Sequence, residues 1–411
     1  MKNIPLFCIS IIILTSVILF GSNKFHPVKI KLKNPTNLLR QDELIVIPVS
    51  SVKKVSIGFD ENYLMIKEKG KILPFEITKD EKGNNIIFQV NFLPGEQKQI
   101  IFYWSKNKPI VRVGRTQAYL GLKKNYLLKD GVYTGGNFES VNSVVMPKSH
   151  FQHDALYQME GPAWESDKVA YRFYLDDRNR TDIFGKSTSQ MILDIVGKND
   201  LLSGDESYEK PLWWGQDIFK VGNSLGIGSI AALINNKVET VSQTDSIKCQ
   251  VVNNTLFSSV LSEHFGWKVG NEKVNVQTNY TIFSGTRLTE VNVKTDKPIE
   301  YLCTGLAKHE NTEFVKSDNT GKWGYIGIWG KQTIINDNLG IALFYSTDNK
   351  LNLSEDALSQ IVVFKPGNRA KYYFAACWEK EKNGIKTLKD FQIFLNQTIE
   401  CLNNPVIFEI Q

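Results

Sequence analysis

Cysteine is scarce in this chain, and its spacing removes whole classes of chemistry. Of the five present, Cys8 lies inside an apolar run, while Cys249, Cys303, Cys377 and Cys401 stand too far apart to make a C-x-x-C pair. A zinc ribbon and a thioredoxin-like site are thereby excluded. The wide spacing favours thiols buried in strands over disulfides, even in an oxidising compartment. Histidine is equally sparse, again five. His150 and His153 stand at i, i+3 with no further His/Cys cluster to complete a site, so no metal centre is expected. A structural calcium ion, held by carbonyl and carboxylate oxygens, leaves no such signature and stays open. There is no G-x-S-x-G elbow, P-loop or dinucleotide fingerprint, and no cofactor is implied. The stretch Gly222 to Gly228 comes nearest and reads as a turn between strands. Arginine-rich blocks are absent too. The formal charge of +6 is spread thinly, which leaves a nucleic-acid partner without support and licenses only a mild attraction for acidic ligands. Past residue 20 no stretch is long or apolar enough to span a bilayer.

What is present begins with a leader. Lys2 supplies a positive start, and Ile4 to Phe20 is apolar apart from Pro5, Cys8, Ser10, Thr15 and Ser16. Small residues Gly21 and Ser22 follow, as a signal peptidase requires. Residues 1–22 are therefore expected to be a signal peptide, and the mature chain to begin near Ser22 or Asn23. The protein would then be periplasmic or secreted, touching a membrane only if the leader stays uncleaved. Cys8 sits mid-run, which argues against a lipid-modified N-terminal cysteine. The 42% hydrophobic and 22% charged composition suits a large core and argues against disorder.

Period-two alternation dominates the rest. Val274, Val276, Thr278, Tyr280 and Ile282 predict one face of a strand. Similar runs recur between turn signals such as Asp130-Gly131, Gly135-Gly136 and Asn383-Gly384. A single clear helix is predicted, from Leu388, Phe391, Leu395, Ile399 and Leu402, with Pro405 stopping it. The expectation is an all-β protein, a sandwich of antiparallel sheets with one C-terminal helix. A soft boundary near residue 115 separates an N-terminal β unit, 23–114, from the main sandwich, 115–411. The two are read as one integrated, monomeric module.

The densest chemistry lies between His150 and Lys220. Val169, Tyr171, Phe173 and Leu175 alternate with Ala170, Arg172, Tyr174 and Asp176, so a strand here has one apolar face and one bearing a cation, a phenol and a carboxylate. Such a row suits a hydrogen-bonding groove, although a surface ion pair beside a tyrosine would read the same way. His150, His153, Glu160 and Glu165 precede it. Arg178, Asp182, Lys186, Trp214, Asp217 and Lys220 follow, and His264 lies further on. Tryptophan among acids and bases is what pyranose recognition requires: the ring stacks on C–H faces while charged groups take the hydroxyls.

The segments Glu165-Ser166-x-x-Val169-Ala170-Tyr171-Arg172-Phe173-Tyr174-Leu175-Asp176, Asp182-Ile183-Phe184-Gly185-Lys186, Trp214-Gly215-x-Asp217-x-x-Lys220-Val221-Gly222 and Trp329-Gly330-Lys331-Gln332 together resemble an uncharacterised family of exported Bacteroidota proteins. That family has about this length, is described only as a domain of unknown function, and occurs in polysaccharide-utilisation loci near uronate-handling enzymes. The resemblance covers nearly the whole mature chain and implies a galactose-mutarotase-like β-supersandwich. Fold does not choose a function among the epimerases, lyases and glycosidases that share it.

The expected function is that of an envelope enzyme acting on an acidic, uronate-containing oligosaccharide. For β-elimination, Arg172 or Arg178 would neutralise the carboxylate, His153 would take the C5 proton and Tyr174 would protonate the leaving oxygen. Epimerisation or hydrolysis would use Glu165 with a histidine as acid and base. His153, Glu165, Arg172 and Tyr174 are thus the expected catalytic set. His150, Asp176, Arg178, Asp182, Lys186, Trp214, Asp217, Lys220 and His264 are the expected substrate-binding residues. A non-catalytic glycan-binding protein and a structural envelope module are the other two readings.

Overall fold

Alternation of apolar and polar side chains builds the molecule. In the strand Glu272–Phe283, Val274, Val276, Thr278, Tyr280 and Ile282 are buried while Lys273, Asn275 and Gln277 face solvent. The computed structural model describes residues 26–56, 58–106, 114–198 and 207–411. The expected leader, 1–22, lies outside the described residues, as does 107–113 just before the expected boundary. Strand makes up 55% and helix 8%, so the all-β expectation holds, and the sheets are antiparallel.

The N-terminal unit is a small sandwich. A five-stranded sheet centred on Val28–Lys33 and Gln97–Trp104 faces a three-stranded one made of Arg40–Pro48, Phe75–Asp80 and Gly83–Phe92. Ile30, Leu32, Ile47, Ile66, Phe88 and Phe102 fill the space between them. The last strand of the chain, Ile407–Ile410, returns to pair with Val28–Lys33. Arg115 holds Asp42 at 2.8 Å and Asp167 at 2.9 Å, which ties this unit to the rest.

The main unit is laid over a nine-stranded sheet running from Ser143–Val145 to Thr312–Lys316. Two five-stranded sheets pack with it, and two two-stranded ribbons lie within residues 121–140. One five-stranded sheet contains Thr116–Tyr119, Ala163–Ser166, Ala170–Phe173, Thr181–Lys186 and Gly215–Asp217; the other is centred on Ile227–Ile234 and Leu302–Ala307. Residues from all three sheets, among them Tyr171, Phe173, Ile227, Leu306, Tyr280 and Phe374, share one core.

The helix Leu388–Asn403 forms where its spacing predicts, with Thr387 as N-cap accepting from the Asp390 N–H. Phe391 and Leu395 seal it against Trp329, Ala342 and Phe344. A second helix, Val49–Val55, was not expected. Val49 and Val52 face the N-terminal core while Lys53 and Lys54 face solvent. Seven residues are too few for a 3.6-residue period to stand out, and valine favours strand. Among the described residues the cysteines are free thiols: Cys249, Cys303 and Cys377 are buried and Cys401 is half-buried.

Candidate functional site

The strand Ala170–Phe173 lies in the sheet between Ala163–Ser166 and Thr181–Lys186. Its alternation works as expected on one side, where Val169, Tyr171, Phe173 and Leu175 join the shared core. The other side differs from expectation. Instead of bordering an open cleft it is covered: Ile192, Leu193, Val196, Tyr208 and Trp214 pack with Ala163, Ala170 and Phe184 in a second apolar layer. Arg172 is 3% exposed, and Asp176 and Tyr174 are buried with it. Alternation fixes which face a side chain takes; it says nothing of what lies across that face.

Beneath the cover Arg172 gathers its partners. Its Nε and Nη2 donate to Asp182 Oδ2 at 3.0 and 2.7 Å. Nη2 also reaches Asp217 Oδ2 at 2.5 Å and the Tyr174 hydroxyl at 2.9 Å, while Nη1 reaches the Tyr208 hydroxyl at 3.2 Å. Tyr174 in turn donates to Asp182 at 2.5 Å. Burial works against the guanidinium charge, but Asp217, Tyr174 and Asp182 more than offset it and hold Arg172 protonated. Burial, helped by nearby Asp182, pushes the Asp217 carboxyl well above the carboxylate range against the pull of Arg172. The cluster is satisfied from within, as a buried charge requires.

Glu160 connects this cluster to the surface. Its Oε2 lies 3.7 Å from Arg172 Nη1, and its Oε1 pairs with Arg178 at 2.8 Å and with His153 Nδ1 at 3.0 Å. Burial opposes the charge, yet His153, Arg172 and Arg178 together bring the Glu160 carboxyl down to about 2. Arg178 also binds Asp176 at 2.5 Å and lies 3.8 Å over the Tyr174 ring. The backbone here is unusual: His153, Ala155, Met159 and Glu160 all take positive φ between 57° and 63°. Gly161 follows at 154°, where a methyl group would run into the Phe173 carbonyl. Several left-handed residues so close together are a concentration of strain of the kind found at functional sites.

Of the expected catalytic set, Arg172, Tyr174 and His153 are thus connected through Glu160, with His153 on the rim and 62% exposed. Glu165 is not among them. It is sealed against Lys186, with the Ile192 and Leu193 N–H groups capping its other oxygen. Burial raises the Glu165 carboxyl and lowers the Lys186 amine. Trp214, the expected sugar platform, is 2% exposed and packs edge-on against Phe184. Its neighbour Trp213 is the exposed one, at 61%. His264 lies in the core, pushed down to about 3 by burial, with Nε2 donating to Asn179 Oδ1 at 2.8 Å. Lys220 is at the surface beside His309.

Two adjoining clefts open next to the cluster. The first, about 420 Å³, is lined by Tyr174, Arg178, Arg180, Asn223 and Thr240, among others. The second, about 460 Å³, is lined by Met146, His150, Phe151, Thr244 and Ile247. Gln152, Asp177 and Ser242 belong to both, and Gln152 Nε2 donates to Asp177 at 2.7 Å.

Arg180 is the informative residue. Its Nη1 donates to the Gly222 carbonyl at 3.0 Å, its Nε is buried with no hydrogen-bond partner, and no ion pair joins it to a described carboxylate. Burial, with the like charge of Arg178, lowers its pKa. Nothing in the sequence distinguishes Arg180 from Arg178, two residues before it in the same polar run. The difference is tertiary: Arg178 takes the direct bonds of Glu160 and Asp176, while Asp176 and Asp177 act on Arg180 only from a distance. No group of three or more His, Cys, Asp or Glu side chains suited to a metal ion occurs among the described residues.

A protein-family model described as "Domain of unknown function (DUF4861)" matches residues 32–407. No curated protein matches. Among solved structures, the chain is similar to a protein in the glycosyl hydrolase family 38 from Enterococcus faecalis, with TM-score 0.47, 8% identity, and 94% of this chain and 47% of that one covered. It is also similar to an alpha-mannosidase from Enterococcus faecalis V583, with TM-score 0.46, 9% identity, and 94% and 46% covered. The chain spans about half the length of those proteins, and a likeness at these scores assigns no activity.

Proposed function

We propose that this chain, which belongs to the DUF4861 family of domains of unknown function, is an exported carbohydrate-active protein that takes a uronate-containing oligosaccharide in the cleft beside Arg180. The observation that carries the reading is the guanidinium of Arg180, which lines the cleft hydrogen-bonded to a carbonyl and in direct contact with no described carboxylate, Asp176 and Asp177 acting on it only from a distance. A ligand carboxylate would supply a directly paired counter-ion in the two-pronged geometry that arginine favours. Gln152, Asp177, Thr240 and Ser242 line the same space and offer donors and acceptors to sugar hydroxyls. A volume of about 420 Å³ lies within the range of small-ligand sites. Arg172 enters as an anchor for the cleft wall, because it is already paired with Asp182 and its other donors are taken by Asp217, Tyr174 and Tyr208.

Export rests on Lys2 and the apolar run that follows it. Sequencing of exported protein should find a start near Ser22 or Asn23; intact Met1 in a membrane fraction would refute cleavage.

Calorimetry with oligogalacturonate and with a neutral galactose oligosaccharide of equal length tests the ligand class. Binding of the acidic probe alone is expected, weakened about tenfold or more in Arg180→Gln, as for a lost hydrogen bond to a charged group. Equal affinity for the neutral sugar, or undiminished affinity in Arg180→Gln, would overturn the reading.

A further inference from the structure

The second cleft contains a pair of residues with catalytic geometry. His150 lines it, yet its side chain is only 3% exposed. Nδ1 lies 2.7 Å from Asp154 Oδ2. Asp154 is fixed in turn by the Leu156 N–H on Oδ1 at 2.9 Å and the Phe151 N–H on Oδ2 at 3.1 Å. The edge of Tyr157 holds the imidazole at a centroid distance of 4.9 Å. A carboxylate accepts only, so the shared proton belongs to Nδ1 and the neutral ring presents a bare Nε2. That Nε2 is buried and has no hydrogen-bond partner. Most buried side-chain nitrogens have a partner, so an open one beside a cleft is a place for a ligand.

We propose that His150 Nε2 is the proton acceptor in a β-elimination on the acidic saccharide, with Asp154 as its positioning residue. This rests on the acidic-saccharide reading of the first cleft. With its carboxylate on Arg180, one uronate can reach across Gln152 and Asp177, common to both clefts, so that its own C5 faces His150. His150 Nε2 takes that C5 proton, which the Arg180-paired carboxylate acidifies. The C5–H electron pair becomes the C4=C5 double bond and the C4–O bond breaks. The departing oxygen takes a proton from water, and the imidazolium, stabilised by Asp154, returns its own proton to solvent. No oxidant, metal or second substrate enters the balance. His153, the histidine that the sequence favoured, is already engaged with Glu160.

The test uses oligogalacturonate, oligoglucuronate and oligomannuronate, with ultraviolet detection of unsaturated ends and calorimetry on the same samples. Wild-type protein should yield unsaturated product from at least one probe. His150→Ala should lower turnover by about 10² to 10⁴-fold while its affinity stays within about twofold, and free imidazole should restore part of the rate. His150→Gln, closer in size, guards against loss of the fold. Asp154→Asn should lower kcat with KM unchanged and should not respond to imidazole. Binding without unsaturated product, or full turnover in both His150 variants, overturns the proposal and leaves the cleft reading standing. Absence of binding to every probe removes both.

Discussion

Arg172 and Asp182 stand opposite each other in neighbouring antiparallel strands, and both Nε and Nη2 of the arginine converge on a single oxygen, Asp182 Oδ2, at 3.0 and 2.7 Å. The strand register itself brings the two charges together, and Asp217 closes the other side at 2.5 Å. Arg172→Met would leave two buried carboxyls without their cation. A loss of about 3–5 kcal/mol is expected, as for other buried pairs broken on one side. Arg172→Lys should recover only part of it, because an ammonium cannot reproduce the planar fork. Urea unfolding of the two variants checks this; wild-type stability in either would contradict it.

Glu160 gives the fold an acid-sensitive point. Its folded carboxyl stays charged down to about 2, whereas in the unfolded chain it protonates near 4.5. The unfolded state therefore binds the extra proton first, and the stabilisation, complete above the unfolded value, is lost as pH falls from about 4.5 to about 2. Glu160→Gln should be less stable at neutral pH by a few kcal/mol and flatter across that window. Parallel curves for the two proteins would refute the assignment.

His264 acts in a neighbouring window for a different reason. Burial keeps the folded ring neutral down to about 3, while the unfolded ring protonates near 6.5. Stability is again complete above the unfolded value and declines as pH drops through the interval. The slope contributed is about 1.4 kcal/mol per pH unit. His264→Gln, which retains a donor for Asn179, should remove that slope from unfolding free energies measured between pH 6.5 and 4. An unchanged slope would place the titration elsewhere.

The adjacent tryptophans should behave oppositely. Trp214→Ala empties a site packed against Phe184 and the covering layer and should cost about 3–5 kcal/mol. Trp213→Ala, at an exposed position, should change stability by no more than about 0.5 kcal/mol. Thermal or urea unfolding distinguishes them, and a large cost at Trp213 would contradict the burial.

Much of the fold was legible in the residues. Alternation in 274–282 and 169–175 gave the buried faces correctly, because a strand's period of two is a local property of the backbone. The C-terminal helix was legible for the same reason, its apolar spacing and Thr387 cap lying within one short segment. Val49–Val55 escaped because seven residues hold too little periodicity.

The site was only partly legible. The chain dictated that charged and aromatic residues crowd between His150 and Lys220, and that Arg172 lies opposite the apolar face of its strand. It did not dictate that residues around Ile192 and Trp214 would cover that face, that Glu165 would be sealed by Lys186, or that Arg180 would be the guanidinium left unpaired. Those outcomes depend on which side chains from distant segments meet. Asp154 reaches His150, and Glu160 satisfies Arg178, only because a loop with several left-handed residues folds back on the sheet. The local period of two sets which face of its strand each side chain takes; tertiary packing decides which charges are neutralised and which remain available to a ligand.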